Sequence, residues 1–369
     1  MAGARRSRVD GMPSLDLTAD VVTLTQQLCD IESVSHDEGA IADAVEAALA
    51  PLEHLEVIRR GNTVIARTDL GREERVVLAG HIDTVPLTTD PANLPTRREE
   101  RGGVEVLWGR GTVDMKGGVA VQLKAALIEE PSRDITFLFY EAEEVDAVYN
   151  GLQLLADSDP DLLAADFAVL LEPTAAVVEG GCKGTMRVEV VLKGIAGHSA
   201  RPWNGHNAIH DAHEVLAALA AHEEQTVTVD GLDYHEALQA VGISGGIAGN
   251  VIPDTCSVLI NYRFSPDKDA EEALAYVQTV LPGHELHLRD VAEGARPGLD
   301  LPAARAFVDA LAVPVGPKEG WTDVARFSAL GIPAVNFGPG DPNLAHHDDE
   351  RCPVDQIATA EAAVLRWLA

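Results

Sequence analysis

The chain has 369 residues, of which 46% are hydrophobic and 24% are charged, so it is long enough for two domains with sizeable cores. Its formal net charge of −31 argues against nucleic acid or an anionic membrane surface as the main partner. Its 4 cysteines, Cys29, Cys182, Cys256 and Cys352, are far apart and form no CxxC pair. Neither a disulfide framework nor a thiolate zinc site is therefore expected.

The N-terminal segment carries Arg5, Arg6 and Arg8, but the residues after them are too polar for the apolar region of a secretory signal. No stretch of about 18 apolar residues follows, so no membrane span is predicted. We expect a cytoplasmic protein with a frayed tail, whose true start is Met1 or Met12.

Apolar runs alternate with amphipathic stretches along the first part of the chain, which favours an α/β sheet with helices on its faces. The predicted helices are Asp20–Ile31, Gly39–Ala50 and Met115–Glu130. The predicted strands, all of the buried type, are Arg75–Ala79, Asp134–Tyr140 and Phe167–Leu171.

The pattern changes after Gly184, where apolar and polar residues alternate as in strands with one solvated face. The predicted strands are 185–193, 239–247, 255–264 and 285–289, and the predicted helices are 207–222 and 266–281. Their β-α-β-β-α-β order is that of the ferredoxin-like arrangement. The first pattern returns from about Arg296, with helices near 303–311 and 323–330 and a strand at 332–337. The sequence thus predicts a catalytic α/β domain at 12–182 and 294–369, split by an inserted α+β domain at 183–293.

Polar side chains that can bind a metal ion follow several of the predicted strands. Functional groups of an open α/β sheet gather beyond the carboxyl ends of its strands. Imidazole and carboxylate groups without thiolates suit zinc or a similar divalent ion. The glycine-rich segment 109–118 lacks the spacing of a phosphate loop, which argues against a nucleotide-binding protein. The candidates are His81, Asp83, Asp114, Glu141, Glu143, Glu144, Glu172, His346 and His347.

Each of these segments also has an ordinary structural interpretation. A lone His-x-Asp is usually a turn or a satisfied polar pair, and two glutamates after a strand usually lie in a solvated loop. The occurrence of several such segments, most of them at strand ends, makes a metal centre the stronger hypothesis.

A family resemblance rests on the ordered motifs GHIDTVP, GRGTVDMKGG, EAEE, LLEPT, GIAGHSARP, GNVIPD and AHHDDE. The chain resembles, from about Asp20 to Trp367, the co-catalytic metallopeptidase family of aminoacylases, carboxypeptidase G2, acetylornithine deacetylase and succinyl-diaminopimelate desuccinylase. Within that family the segments GCKGTMRVEV, GWTDVARF and GPGDPNLAHHDDE are most similar to the desuccinylases of actinobacterial type.

The resemblance implies a mixed-sheet zinc-peptidase catalytic domain with an inserted ferredoxin-like dimerisation, or lid, domain. It implies two Zn²⁺ ions per chain, which Co²⁺ can replace. Asp114 would bridge the two ions, and its peptide bond to Met115 is commonly cis in the family. The implied metal ligands are His81, Asp114, Glu144, Glu172 and His346.

The resemblance also assigns roles in catalysis. Asp83 would orient His81, and Glu143 would be the general base. His198, supplied by the other subunit of a homodimer, would hydrogen-bond the oxyanion. His346 is preferred to His347 as the ligand because the family pattern places Ala before the ligand and Glu four residues after it.

A small anionic N-acyl amino acid is the expected substrate. The residues expected to bind it are Lys183, Thr185, Asn250, Arg263 and Thr322. Arg263 suits a carboxylate, although an arginine on a strand is equally often part of a surface ion pair. The family's Ser/Thr-Asp-x-Arg-Phe pattern has one extra residue here, which leaves the role of Arg326 open.

The predicted reaction is hydrolysis of N-succinyl-LL-2,6-diaminopimelate, in lysine and diaminopimelate biosynthesis. The alternatives within the family are an acetylornithine deacetylase and a broader N-acyl amino acid or dipeptide hydrolase. The alternative from another class is a non-catalytic metal- or ligand-binding relative, which would have no need of Glu143 and the full ligand set.

Overall fold

The computed structural model describes residues 13–369, and the predicted tail and the start at Met12 lie outside the described residues. The chain forms two compact units. The first comprises the described residues up to Glu179 together with Leu299–Val315 and Arg326–Ala369, and the second comprises Gly180–Gly298 and Gly316–Ala325. Within residues 13–369, none of the helices combines the length and the apolar composition that a membrane span needs.

Six of the described α-helices lie wholly within the first unit. Its main sheet includes two short strands at positions where the sequence passes from one unit to the other. Its helices are α1 (Val21–Cys29), α2 (Gly39–Leu49), α3 (Lys116–Ala125), α4 (Gly151–Ser158), then, after the second unit, α7 (Pro302–Leu311) and α9 (Val354–Leu368). The short helix α8 (Val324–Ala329) crosses the boundary between the units. The strands are β1 (Glu56–Arg60), β2 (Thr63–Arg67), β3 (Arg75–His81), β4 (Arg97–Arg101), β5 (Val104–Trp108), β6 (Asp134–Tyr140), β7 (Phe167–Leu170), β8 (Val178–Gly180), β16 (Val315–Pro317), β17 (Ala334–Asn336) and β18 (Arg351–Pro353).

The main sheet has the strand order β1-β2-β6-β3-β7-β17-β8-β16. It is mixed, because β6, β3, β7 and β17 are parallel neighbours whereas β2 is antiparallel to β6. Every residue of β6 and β7 is buried, as expected for central strands covered by helices on both faces. A smaller sheet, β18-β5-β4, lies in the same unit.

Helix α3 is the central helix of this unit and is buried along nearly its whole length. It packs closely on the segment that follows β7, because a Cβ at Gly118 would lie 2.0 Å from the carbonyl oxygen of Leu171. Only glycine allows this approach. The helix therefore fixes the backbone immediately before Glu172.

The second unit is built on a five-stranded antiparallel sheet with the order β11-β12-β14-β9-β15. Helices α5 and α6 pack against alternate, buried residues of β9 and β14, which form a separate apolar core. The elements are β9 (Gly184–Lys193), β10 (Gly197–His198), α5 (Ala208–Ala221), β11 (Gln225–Val229), β12 (Leu232–Gly245), β13 (Val251–Ile252), β14 (Thr255–Phe264), α6 (Ala270–Val280) and β15 (Leu286–Ala292).

Helix α6 begins later than predicted. The sequence predicted a start at Pro266, but Asp269 is the N-cap and its side chain accepts a hydrogen bond from the Glu272 N–H. Glu272 in turn bonds the Asp269 N–H, which completes a capping box. This reciprocal pair satisfies the backbone N–H groups of Asp269 and Glu272 and therefore decides the boundary.

Candidate metal centre

The carboxyl ends of four neighbouring parallel strands meet at one edge of the main sheet, in the order β6, β3, β7, β17. His81 is the last residue of β3 and lies opposite Tyr140, the last residue of β6. Glu143 and Glu144 follow β6, Glu172 follows β7, and the loop of His346 follows β17. Strand direction therefore brings residues far apart in sequence to a common edge.

His81 is held between two carboxylates in the interior, with 1% of its surface exposed. Its Nε2 lies 3.0 Å from Asp114 Oδ1, and its Nδ1 lies 3.2 Å from the Asp83 carbonyl oxygen and 3.3 Å from Asp83 Oδ1. Burial opposes the charged ring, but the hydrogen bonds to Asp114 and Asp83 raise the pKa of His81 above its ordinary value. Asp83 therefore lies where it can fix the orientation of the ring.

Asp83 also organises the loop that follows β6. Its Oδ1 accepts the Glu143 N–H at 3.1 Å, and its Oδ2 accepts the Glu144 N–H at 3.2 Å and the Ser35 hydroxyl at 2.7 Å. Burial favours protonation, but the bonds from His81 and Ser35 keep the pKa of Asp83 below its ordinary value. One buried carboxylate thus orients His81 and places Glu143 and Glu144.

Asp114 lies between two imidazoles. Its Oδ1 is 3.0 Å from His81 Nε2 and its Oδ2 is 3.2 Å from His346 Nε2, so each oxygen faces a different histidine. Burial raises its pKa, but the hydrogen bonds from His346 and His81 outweigh this and hold the pKa of Asp114 well below its usual range. Its peptide bond to Met115 is cis. A carboxylate presented in this way can bridge two metal ions.

His346 completes the cluster through Glu144. Its Nε2 lies 3.0 Å from Glu144 Oε1 and 2.9 Å from Glu144 Oε2. Asp114 and Glu144 together raise the pKa of His346 to about 10, whereas burial raises the pKa of Glu144. His347 makes a different contact, because its Nδ1 accepts the Asp349 N–H at 3.2 Å.

Two non-glycine residues in these loops have left-handed backbone conformations, Ala142 with φ 58° and His346 with φ 62°. Such residues cost about 1–3 kcal/mol and cluster at functional sites. Here they turn the chain immediately before Glu143 and at the histidine itself.

The donor set fits a divalent metal such as zinc. Ligand atoms of His81, Asp114 and Glu144 all lie within 4.8 Å of one another, and His346 contacts two of these residues. All are imidazoles or carboxylates, which zinc accepts readily. Glu172 is 6% exposed and lies two residues beyond β7, outside the three-residue group.

The other predicted site residues lie in the second unit. His198 is exposed on β10, where it pairs with Val251 of β13, and the Ser199 N–H donates to the Asn250 carbonyl at 3.0 Å. The Nδ1 of His198 accepts the Ala200 N–H at 3.1 Å. The neutral ring therefore carries its proton on Nε2, where it can be donated.

Two predicted cations differ in their partners. Lys183 is nearly buried, and its Nζ lies 2.5 Å from Glu319 Oε2 and 2.5 Å from the His235 carbonyl oxygen. Arg263 is half-buried, and its Nε donates to Asn261 Oδ1 at 3.2 Å. Within residues 13–369 it forms no ion pair with a carboxylate, and burial together with nearby Arg187 lowers its pKa. Lys183 thus forms a salt bridge with Glu319, whereas within the described chain Arg263 has only the longer-range attraction of Asp290.

Thr185 lies across from Arg263 in the β9–β14 ladder, and the Asn261 amide donates to its hydroxyl at 3.1 Å. Thr322 is buried in the second unit, where its carbonyl faces Cys182 Sγ at 3.6 Å. Arg326 belongs to the first unit and donates from Nη1 to Gln153 of α4. One contact of the Arg326 side chain is therefore with helix α4.

Two residues in these contacts, Ser35 and Asn261, were not proposed from the sequence. Asn261 could have been found, because it lies two residues from Arg263 on a strand and so shares its face. Ser35 lies 48 positions from Asp83 and has no local signal. Glu350, which binds the Val113 and Asp114 N–H groups, entered the sequence analysis only as the Glu four residues after His346.

A mixed α/β sheet with imidazole and carboxylate donors at its carboxyl edge is the arrangement of a metal-dependent hydrolase. Residues 77–369 match the model of peptidase family M20/M25/M40, and the chain belongs to this family. The predicted family resemblance is confirmed. Over 358 residues the chain is 51% identical to a Mycobacterium tuberculosis protein provisionally named succinyl-diaminopimelate desuccinylase DapE, covering 96% of this chain and 99% of that one.

Another relative is the succinyl-diaminopimelate desuccinylase of Corynebacterium glutamicum, 45% identical over 368 residues, covering 96% of this chain and 98% of that one. Among solved structures, a Staphylococcus aureus tripeptidase superposes with a TM-score of 0.74 at 19% identity, covering 97% and 98% of the two chains. A dinuclear metal-binding M20 peptidase of Bacillus subtilis superposes with a TM-score of 0.67 at 17% identity, covering 94% and 96%. These structures share the fold.

Proposed function

We propose that this protein hydrolyses the amide bond of N-succinyl-LL-2,6-diaminopimelate to succinate and LL-2,6-diaminopimelate in the cytoplasm. The observation that carries the proposal is the convergence of His81, Asp114, Glu144 and His346. It occurs in a chain 51% and 45% identical to proteins named as desuccinylases of this substrate.

The proposed centre holds two zinc ions. Asp114 would bridge them, His81 and Glu172 would complete one site, and Glu144 and His346 the other. The two oxygens of Asp114 face different histidines, which supports the bridging role. Zinc bound there would supply the Lewis acidity that lowers the pKa of a water and polarises the amide carbonyl.

Glu143 is the proposed general base, which would take a proton from water and deliver it to the departing amine. The support is its position: it precedes the ligand Glu144, and its N–H is held by Asp83 at 3.1 Å. The same carboxylate holds the Glu144 N–H, so the base and the ligand share one anchor.

A homodimer is proposed through the second unit. Along Gly242–Gly245, β12 pairs with β14, whereas β11 pairs only with Leu232–Glu236. Exposed apolar side chains follow this open edge, with Val241 55%, Ile243 54% and Ile247 87% exposed. A second copy of the chain could cover them, and His198 could then donate its Nε2 proton to the oxyanion of the other subunit's substrate.

Arg263 is the proposed partner of the succinyl carboxylate. A half-buried guanidinium that forms no salt bridge within residues 13–369 suits an anionic ligand, whereas Lys183 is already paired with Glu319. An acetyl group would leave this cation unmatched, and such mismatches can change kcat/KM by roughly 10⁴–10⁵.

The test is hydrolysis of a panel of N-acyl diamino acids by the purified, zinc-loaded protein. We expect kcat/KM for N-succinyl-LL-diaminopimelate to be far above that for N-acetylornithine. Arg263→Ala should remove most of this preference, while Arg187→Ala is the matched control, because Arg187 on the same sheet is already paired with Asp290 at 2.8 Å. Comparable hydrolysis of both compounds would favour the deacetylase or broad-hydrolase alternative, and metal binding without turnover would favour the non-catalytic one.

A further inference from the structure

A buried ion pair lies beside the metal centre without contributing a ligand to it. Glu350 is 1% exposed and Arg110 is 3% exposed, and Arg110 Nη1 donates to Glu350 Oε2 at 2.8 Å. Both residues belong to the first unit. Removing two charges from water costs several kcal/mol per ion, so a buried ion pair often stabilises a fold no more than apolar residues of similar volume would. This makes its other contacts informative.

The second oxygen of Glu350 binds the backbone that carries Asp114. Its Oε1 accepts the Val113 N–H at 3.0 Å and the Asp114 N–H at 3.1 Å. A carboxylate that accepts two adjacent N–H groups fixes the peptide plane between them. Glu350 therefore constrains the backbone from which the Asp114 side chain extends.

The backbone of Glu350 belongs to the other ligand loop. Its N–H donates to the His347 carbonyl at 3.1 Å, and its own carbonyl accepts the Gly109 N–H at 3.0 Å. Arg110 adds a contact to the same His347 carbonyl at 3.4 Å. Just beyond, Arg351 pairs with Trp108 as β18 joins β5. The loop leading to Asp114 and the loop carrying His346 are thus tied together at this one buried pair.

We infer that Glu350, anchored by Arg110, is a positioning residue that fixes Asp114 relative to His346 and thereby sets the affinity of the centre for its metal ions. Asp114 Oδ2 and His346 Nε2 lie 3.2 Å apart although the two residues come from different loops. Their spacing therefore depends on the contacts that join those loops. The inference rests on the proposed metal centre and adds a residue that determines its geometry.

The test compares Glu350→Gln with Asp134→Asn, a matched control at the amino end of β6. Asp134 is also buried and accepts two backbone N–H groups, those of Leu70 and Arg72, at 2.8 and 2.9 Å. Both variants should lose thermal stability. Only Glu350→Gln should lose zinc affinity, measured by competition with a chelator, by about 10–100-fold, as is typical when a group that orients ligands is removed.

Arg110→Gln is the second variant and carries the test if Glu350→Gln does not fold. It removes the anchor of Glu350 but keeps the carboxylate, so we expect a smaller loss of zinc affinity. Wild-type affinity in the folded Glu350 or Arg110 variants, or an equal loss in Asp134→Asn, would overturn the inference while leaving the proposed function intact. A wild-type protein that binds no zinc would overturn both.

Discussion

The two units handle their charged and polar residues in opposite ways. In the first, His81 and Glu172 are buried, Asp114 and Glu144 are half-buried, and only His346 is exposed. Most of these groups touch one another, with His81 Nε2 3.0 Å from Asp114 Oδ1 and His346 Nε2 2.9 Å from Glu144 Oε2. In the second, His198 and Asn250 are exposed, Arg263 is half-buried, and the apolar edge of β12 faces outwards. The first unit builds a complete donor set from its own strands. The second presents exposed groups, which under the proposed function would bind the substrate or another subunit.

This contrast agrees with the proposed division of roles, in which the first unit binds metal and the second binds the substrate or another subunit. A metal centre needs ligands fixed by packing and by neighbouring hydrogen bonds, and parallel strand ends provide that rigidity. A surface that binds an anion or a second subunit must stay accessible until its partner arrives. Each prediction below acts on one side of this division.

Metal removal should separate activity from folding most completely. Glu144 and Glu172 follow β6 and β7, two strands that are buried throughout, so we expect the core to fold without the ions. Dialysis against a chelator should therefore abolish hydrolysis while leaving the far-ultraviolet circular dichroism unchanged. Adding zinc or cobalt should restore activity. Metal analysis that finds no divalent ion, with no gain on adding one, would contradict the proposed centre.

The adjacent glutamates of the first unit should respond differently to the same change. Glu143→Gln should keep both metal ions but lose about 10²–10⁴-fold in kcat, the usual cost of removing a general base. Glu144→Gln should instead lose metal from one site, because Glu144 contacts His346 at 2.9 Å. Metal content and kcat, measured on both variants, decide the assignment. Equal loss of metal in the two would mean that the roles are wrong.

Subunit mixing tests whether the second unit acts across a dimer. His198→Ala and Glu143→Ala proteins should each be inactive alone. If His198 serves the other subunit, a mixed dimer holds one intact site, and random pairing should restore about a quarter of wild-type activity, since half of the dimers carry one good site of two. Exchange can be followed with differently tagged chains. Confirmed exchange without recovered activity would place His198 in its own subunit's site or outside catalysis.

The sequence predicted strands best where burial is complete. The bounds of β6, Asp134–Tyr140, and of β14, Thr255–Phe264, agree with the structure because each has a continuous local signal, an apolar run or a clear alternation. Helix α9 was not proposed, although its buried residues Ile357, Ala360 and Val364 have helical spacing. The hairpin β1–β2 was also missed, since β1 has no buried side chain.

Long-range contacts were beyond the sequence. Gly316–Ala325 groups with the second unit, whereas the sequence placed it in the last catalytic segment. Glu319 explains this, because it bonds Lys183 at 2.5 Å and His235 at 2.8 Å across more than 80 positions. No local sequence pattern predicts a salt bridge between residues so far apart. Strand-end positions indicated the candidate ligands and the motif resemblance assigned their roles, whereas the connection of Glu350 to Asp114 required coordinates.

The smallest expected effect concerns a buried carboxylate in the second unit that has no proposed role in chemistry. Glu236 is 1% exposed. Its Oε1 accepts the Ser265 N–H at 2.7 Å and Lys268 Nζ at 2.8 Å, and its Oε2 accepts the Tyr262 hydroxyl at 2.8 Å. Glu236→Gln should lower the free energy of unfolding by about 1.5–3 kcal/mol at neutral pH, the usual value of a hydrogen bond to a charged group.

The pH dependence of this loss in unfolding free energy shows whether the charge of Glu236 or the packing of its side chain stabilises the protein. Burial raises the pKa of Glu236, but Lys268, Ser265 and Tyr262 outweigh it and leave the pKa below its ordinary value. A carboxyl whose pKa is lowered on folding stabilises the protein above its unfolded pKa, and this stability is lost as pH falls through the folded pKa. The difference between wild type and Glu236→Gln should therefore be full at neutral pH and shrink in acid. Urea unfolding at several pH values measures it, with exposed Glu214→Gln on α5 as the control that should change little. A difference that does not shrink in acid would mean that packing, rather than charge, explains the burial of Glu236.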